Sequence, residues 1–259
     1  MSTPTTNNLI ERLFSAGAHF GFKKSRRHPT VTPYLFTSKD GNDIFDLEQS
    51  AGLIEAAAAV VNEAGKNGKT VVFVGTKDEV SKIVQTTAES LALPYVTNRW
   101  IGGMLTNWPE IKKRIMRLES LMAERESGEL DRKYTKKERV MINREIDKLN
   151  FNFAGIKNIS KTPDLMVVVD PRHDFIAVQE ASDIRIPVIA LMSSDCDATK
   201  ITHPVFVNDA LQSSVSVVLG ELAKAYTDGK AQFVPKPVAP RVAPTSSDSR
   251  SRRPRPTTA

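Results

Sequence analysis

Apolar positions along this chain recur first at helical spacing, then in short unbroken runs, and the switches between the two mark its elements. Residues 9–18 (LIERLFSAGA) carry apolar side chains one helical turn apart and end on small residues, which predicts a short helix leading into His19-Phe20-Gly21. The segment FKKSRRHPTVTPYLF follows, and its prolines, Pro29 and Pro33, disfavour helix, so its cations are expected on an extended loop. Residues 34–37 and 44–46 read as a small hairpin around Lys39-Asp40-Gly41-Asn42. An alanine-rich helix is expected over 50–65. The run over 70–75 is uniformly apolar apart from its ends, the signature of a strand buried on both faces of a parallel sheet. A helix over 78–91, strands over 94–97, 165–169 and 188–191, a helix over 174–184, a weaker strand over 205–207 and a helix over 209–226 complete the alternation. Strands alternating with helices of this length predict a doubly wound parallel α/β sheet.

Residues 107–153 interrupt that sheet. Ile111, Ile115, Leu118 and Met122 form one apolar seam, and Ile142, Ile146, Leu149 and Phe153 repeat its spacing. Asn107 with Glu110, and Thr135 with Glu138, fit capped helix starts. Two matching seams joined across Ser127-Gly128 predict an antiparallel helical coiled-coil hairpin, zipped along its length and projecting from the body, since its other faces are crowded with charge.

Immediately before the insertion lies Asn98-Arg99-Trp100-Ile101-Gly102-Gly103-Met104-Leu105-Thr106-Asn107-Trp108, which holds both tryptophans. Adjacent glycines let a backbone turn sharply or lie close against a partner. A guanidinium beside an indole suits phosphate pairing, while the ring itself packs a core or stacks on a base.

Composition narrows the classes. The chain has 259 residues, 25% of them charged, enough for one large or two ordinary domains with a real core. No apolar run is long enough to span a bilayer, and Met1 to Leu9 lacks the pattern of a secretory signal. Cys196 is the single cysteine, so an internal disulfide and a cysteine-built zinc site are excluded, which agrees with a reducing compartment. The net charge of +6 is concentrated at the end of the chain. From residue 230 onward stand Lys230, Lys236, Arg241, Arg250, Arg252, Arg253 and Arg255 against Asp248, which leaves 29 charges of each sign in residues 1–229. A polyanion site on the body must therefore be a local patch, and Lys23, Lys24, Arg26, Arg27 and Lys39 provide one, with no acid in that stretch before Asp40. Beyond Gln232 the composition turns to Pro, Ser, Thr and Arg, as in a disordered tail.

Two other chemistries were open on the residues alone. Asp170, Asp195 and Asp197 follow strands at the rim where α/β sheets bind ligands, and such carboxylates could hold magnesium for phosphotransfer, with His173 and Asp174 close by. The signal is weak, because aspartates are also common as loop residues and helix caps. Alternatively the hairpin could dock a protein without RNA. Val74-Gly75-Thr76-Lys77 lacks the full phosphate-loop spacing, and His19, His28, His173 and His203 show no ligand spacing. His19 is expected to be a packed histidine.

Four blocks together resemble the bacterial-type small-subunit ribosomal protein two family. They are residues 13–21 (LFSAGAHFG), residues 73–77 (FVGTK), residues 98–107 (NRWIGGMLTN), and the set Pro163-Asp164, Val169-Asp170, residues 177–181 (AVQEA) and Ile186-Pro187-Val188. The likeness spans about residues 9–227. It implies a three-layer flavodoxin-like domain built from 9–106 and 154–229, with an inserted hairpin over 107–153; outside the likeness, composition alone marks a disordered lead-in over 1–8 and a disordered basic tail over 230–259. It also implies a non-catalytic, cytoplasmic constituent of the small ribosomal subunit, working in translation without cofactor, metal, membrane or small-molecule substrate. Its partners would be small-subunit rRNA near the junction of head and body, and neighbouring ribosomal proteins including ribosomal protein one, which it helps to dock. Lys23, Lys24, Arg26 and Arg27 are then the first candidates for phosphate contact, with His28, Arg99, Trp100 and Asn107 beside them. Lys112 and Lys113, with Arg114 and Arg117, would add contacts from the hairpin.

Overall fold

A computed structural model describes residues 4–159 and 161–233. The first helix, α1, runs Pro4–Ser15, so the expected lead-in over 1–8 is already helical from Pro4. Proline at a helix start costs nothing, because its missing N–H has no intrahelical partner there. A three-stranded antiparallel sheet follows, made of β1 (Phe20–Lys23), β2 (Leu35–Lys39) and β3 (Asn42–Phe45) in the order β1-β3-β2. The β2–β3 turn is the expected Asp40-Gly41, both residues with positive φ (51° and 78°) as a tight hairpin turn requires. The third strand, β1, was not expected from the sequence; it takes up the start of the basic segment.

Helix α2 (Leu47–Lys66) starts where Asp46 accepts the N–H groups of Glu48 at 3.0 Å and Gln49 at 3.4 Å. Then come β4 (Val71–Val74), α3 (Asp78–Leu91) and β5 (Tyr95–Val96), before the insertion. After it come β6 (Leu165–Val169), α7 (Phe175–Asp183), β7 (Val188–Met192), β8 (His203–Phe206) and α8 (Gln212–Ala231). The helix α8 reaches Ala231, past the expected start of the tail at 230, and the remainder of the expected tail, from 234, lies outside the described residues.

Strands β4 to β8 form one parallel sheet in the order β5-β4-β6-β7-β8, so every strand delivers its chain to the same rim. Alternate residues feed two cores. Val71, Phe73, Val167 and Leu191 meet α1, α2, α3 and α8 on one face. Val72, Val74, Met166, Val168 and Ala190 meet α7, the 100–105 loop and the root of the insertion on the other. Because both faces are covered, β4, β6 and β7 are buried at every position, which is why their sequences show no alternation. The helices α2 and α8 touch backbone to backbone: a Cβ at Gly229 would lie 2.2 Å from the Asn62 carbonyl oxygen.

The insertion comprises α4 (Trp108–Glu126), a short α5 (Glu129–Lys133) and α6 (Lys136–Phe153). Instead of a bare turn at Ser127-Gly128, α5 bridges the long helices. The expected seam also divides. Leu118, Leu121 and Ile146 pack together with Met122, Ile142 and Leu149, while Ile111, Ile115 and Phe153 belong to the sheet's second core. The root residues meet a larger apolar surface there than a two-helix seam provides, so the hairpin is anchored in the body rather than zipped as a separate unit. At the start of α6 the Glu138 carboxylate accepts from both the N–H and the hydroxyl of Thr135, each at 2.9 Å, as the capping-box spacing predicts. Asn107 precedes α4, but its side chain makes no cap; its carbonyl accepts instead from Glu110 and Ile111.

Candidate nucleic-acid interface

The basic segment is held across the rim of the parallel sheet. The His28 N–H donates to the Ser194 carbonyl at 2.8 Å, the Phe22 N–H to the Ser194 hydroxyl at 2.9 Å, and the Lys24 N–H to the Gly41 carbonyl at 2.9 Å. These bonds fix a short 3-10 turn, Lys24–Arg26, at the surface. Lys23, Lys24 and Arg26 are exposed and have no acidic partner within ion-pair distance among the described residues. The Arg26 guanidinium lies 5.9 Å from the centre of the Phe22 ring, which restrains it without neutralising it.

Arg27 departs from this set. Its Nε donates to Asp43 at 2.9 Å, and Nη2 to the Ser38 hydroxyl at 2.6 Å and to the other Asp43 oxygen. The Asp43 side chain is fully buried, so Arg27 neutralises an interior charge and is not free for phosphate. The acid that pairs with Arg27 lies three residues beyond Asp40 in the chain and is brought back to it by the hairpin. This guanidinium holds the Asp43 carboxyl below its ordinary range, against the opposing effect of burial. His28 is also partly engaged: Nδ1 lies 2.8 Å from the Thr30 hydroxyl and 4.0 Å from Asp197.

The second loop leaves β5 at the same rim, with two strands between it and β7. Arg99 is exposed, but Trp100 is 7% exposed and packs in the core, so its ring is not a stacking surface. Its indole N–H donates to Glu180 at 3.2 Å. Glu180, on α7, also accepts the backbone N–H of Gly103 at 2.7 Å, of Leu105 at 3.0 Å and of Thr106 at 3.3 Å. Burial alone would raise this carboxyl; the combined donors outweigh it and hold Glu180 below its ordinary range. In the sequence Glu180 stands within the 177–181 block, and nothing in its spacing from the loop announces the role.

The glycine pair has divided functions. Gly103 takes φ +91°, a conformation that side chains strain to adopt, and makes the turn. Gly102 has ordinary φ and nothing within 4 Å of where a Cβ would stand. Its position faces open space, so nothing inside the protein requires glycine there. On the hairpin, Lys112 and Arg114 are exposed, whereas Lys113 pairs with Glu110 at 2.6 Å and Arg117 with Glu145 at 3.5 Å. Asn107 is exposed at the hairpin's root.

The rival chemistry is not assembled as its residues suggested. Asp195 pairs with Arg172, and Asp197 accepts the N–H of Thr199 at 2.8 Å. Asp170 receives the Lys77 ammonium at 3.1 Å. Asp174 caps no helix through its side chain; it is buried and accepts the Thr76 N–H at 3.1 Å and hydroxyl at 2.7 Å, which accounts for the phosphate-loop fragment. A different triplet converges instead, Asp170 with Cys196 and Asp209, one ligand atom of each lying within 4.8 Å of the others. His19 is packed as expected, its ring centre 4.7 Å from that of Phe14 and 4.0 Å from that of Phe20. Among the described residues no helix is long and apolar enough to cross a membrane.

The family model described as ribosomal protein S2 matches residues 13–229. A "small ribosomal subunit protein uS2" from Picosynechococcus sp. is 41% identical over 221 residues, 85% of this chain and 86% of that protein. The protein of that name from Synechocystis sp. is 40% identical over 218 residues, covering 84% of this chain and 81% of its own. A "small ribosomal subunit protein uS2c" from Porphyra purpurea is 38% identical over 221 residues, covering 85% and 91%. The matched span takes in both rim loops, the whole insertion and all five parallel strands, and on that extent of likeness the chain belongs to the ribosomal protein S2 family.

Proposed function

We propose that this protein is a non-catalytic constituent of the small ribosomal subunit that grips small-subunit rRNA through the loops at the carboxyl rim of its sheet. Family membership supports the placement and the role in translation. The observation that carries the RNA reading is the fixed, exposed and unpaired trio Lys23, Lys24 and Arg26 on a body whose total charge is balanced. Backbone bonds already fix this loop, so only its side chains are ordered on meeting phosphate, and such contacts position a protein without reading sequence. Arg99, Gly102, Lys112 and Arg114 extend the surface along the rim and onto α4, with His28, Asn107 and Lys113 at its margin.

The body is read as flavodoxin-like on its strand order, which counts as 2-1-3-4-5 within the parallel sheet. The pair α4 and α6 is read as a short coiled-coil hairpin on the Leu118–Ile146 seam. Docking of ribosomal protein one follows from the family resemblance. Met116, Val140, Met141 and Phe151, all exposed on α4 and α6, are suited to such a protein contact because they are apolar and, for methionine, adaptable. The expected setting is cytoplasmic, in the small subunit.

The test is replacement of Lys23, Lys24 and Arg26 by glutamate, followed by sedimentation of subunits at graded salt. Reduced occupancy with an unchanged fold, and release at lower salt than the parent, support the reading. Equal occupancy across the salt series sinks it.

A further inference from the structure

Beside the basic segment a cavity opens where α7 meets the loop that follows β7. It encloses about 380 Å³, within the roughly 300–1,000 Å³ of small-ligand pockets. Pro171, Phe175 and Val178 make its apolar wall, and His28, Arg172 and Asp197 stand at its polar rim. Phe175 is 63% exposed, so its ring packs no core. The backbone under it is nonetheless fixed, because the preceding residue, Asp174, is buried and accepts both the N–H and the hydroxyl of Thr76. The facing loop is tied to the basic segment by the Ala198 N–H, which donates to the Thr30 hydroxyl at 3.3 Å. A lone exposed phenylalanine needs no explanation. An exposed ring on a fixed backbone, lining a concave pocket, is a ready stacking surface.

The pocket is continuous with the cationic surface. Arg172 and Asp195, an ion pair, line both this cavity and the neighbouring cleft whose other walls include Phe22 and Arg26. A strand with phosphates at Lys23, Lys24 and Arg26 would cross Arg172 to reach Phe175. Asp197 supplies an acceptor at the mouth. The hydroxyl and N–H of Thr199 hold its carboxyl below the ordinary range, so it is ionised at neutral pH. Those bonds fall on Oδ1, and among the described residues nothing donates to Oδ2. We propose that this pocket receives one unstacked, amino-bearing base of the rRNA strand that crosses the basic segment. The base face lies on Phe175, its exocyclic amino group donates to Asp197, and its phosphate meets Lys200 or Arg172. Adenine, cytosine and guanine carry such an amino group. Uracil presents two carbonyl oxygens on that edge and is repelled by the carboxylate. The inference rests on the rRNA grip proposed above and names one nucleotide of it.

The test replaces Phe175 by a benzophenone amino acid in the full chain, assembles it into small subunits and irradiates them. Crosslinking to one rRNA nucleotide is expected; capture of a neighbouring protein, or of nothing, overturns the proposal. Phe175→Ala should fold normally, because the ring is exposed, and should bind subunits lacking this protein about tenfold more weakly. Phe175→Tyr keeps a flat ring and should bind like the parent. Chemical probing of the base edges should show one adenine, cytosine or guanine protected in parent subunits and reactive in those carrying Phe175→Ala. Equal affinity of the parent and Phe175→Ala, or a protected uracil in place of an amino-bearing base, overturns the proposal. If charge reversal of Lys23, Lys24 and Arg26 weakens binding while Phe175→Ala does not, the pocket assignment fails and the grip stands. If the charge reversal has no effect, both fail.

Discussion

The Gly103 backbone N–H donates to Glu180 across 2.7 Å, joining a loop at one edge of the sheet to a helix packed on its face. The same carboxylate takes the Trp100 indole and the N–H groups of Leu105 and Thr106, so one buried side chain satisfies a loop that would otherwise bury unpaired donors. Arg99 and Gly102 owe their positions to it.

Glu180→Ala should therefore cost about 3 kcal/mol or more, since several buried donors lose a charged acceptor together. Urea denaturation measures this. Glu180→Gln, which keeps an acceptor oxygen but loses the charge, should fall between the parent and the alanine variant. A loss below about 0.5 kcal/mol for alanine would show that the loop holds its shape without Glu180.

Arg27 and its neighbours should separate cleanly. Arg27→Ala strands the buried Asp43 and should cost about 3 kcal/mol, while Lys24→Ala, exposed, should stay within about 0.5 kcal/mol. Subunit occupancy should respond to Lys24 beyond any effect on stability. The reverse ordering in thermal melts would remove the distinction drawn here between structural and RNA-facing cations.

Acid should expose the same pair. The folded-state carboxyl of Asp43 is depressed below its ordinary value of 3.8 by Arg27, so its contribution is present above that value and is lost as pH falls through the lower folded value. Melting temperature in the parent should drop across that acid window. In Arg27→Ala the drop should be smaller, and an identical pH profile in the two proteins would contradict the assignment.

The two glycines predict opposite phenotypes. Gly103→Ala forces a side chain into φ +91° and should destabilise the free protein by about 1–2 kcal/mol. Gly102→Ala has open space around its Cβ and should leave stability unchanged, but it should impair subunit incorporation if the backbone there lies against RNA. Normal incorporation of Gly102→Ala would free that face from the interface.

How far the sequence carried depends on range. The uniformly apolar runs at β4, β6 and β7 and the helical spacing of α3 were legible because burial on two faces, or on one stripe, leaves a local trace. The Thr135–Glu138 cap was legible for the same reason. What escaped was long-range. Arg27 reads as one of four equivalent cations until a hairpin returns Asp43 to it, and Trp100 reads as a possible stacking ring until α7 covers it. The seam over Ile111 and Ile115 showed which positions are apolar but not that the body, rather than α6 alone, would bury them. The Asp170–Cys196–Asp209 cluster exists only because three parallel strands end side by side.

The most direct test of the central claim is chemical protection of the basic segment. Amine-reactive labelling read by mass spectrometry would compare Lys23 and Lys24 in the free protein with the same residues in purified small subunits. Strong labelling when free and clear protection in the subunit, with Lys23 and Lys24 exposed again after ribonuclease treatment, is the predicted result. Equal labelling of both residues in the two states would contradict an rRNA grip through this loop.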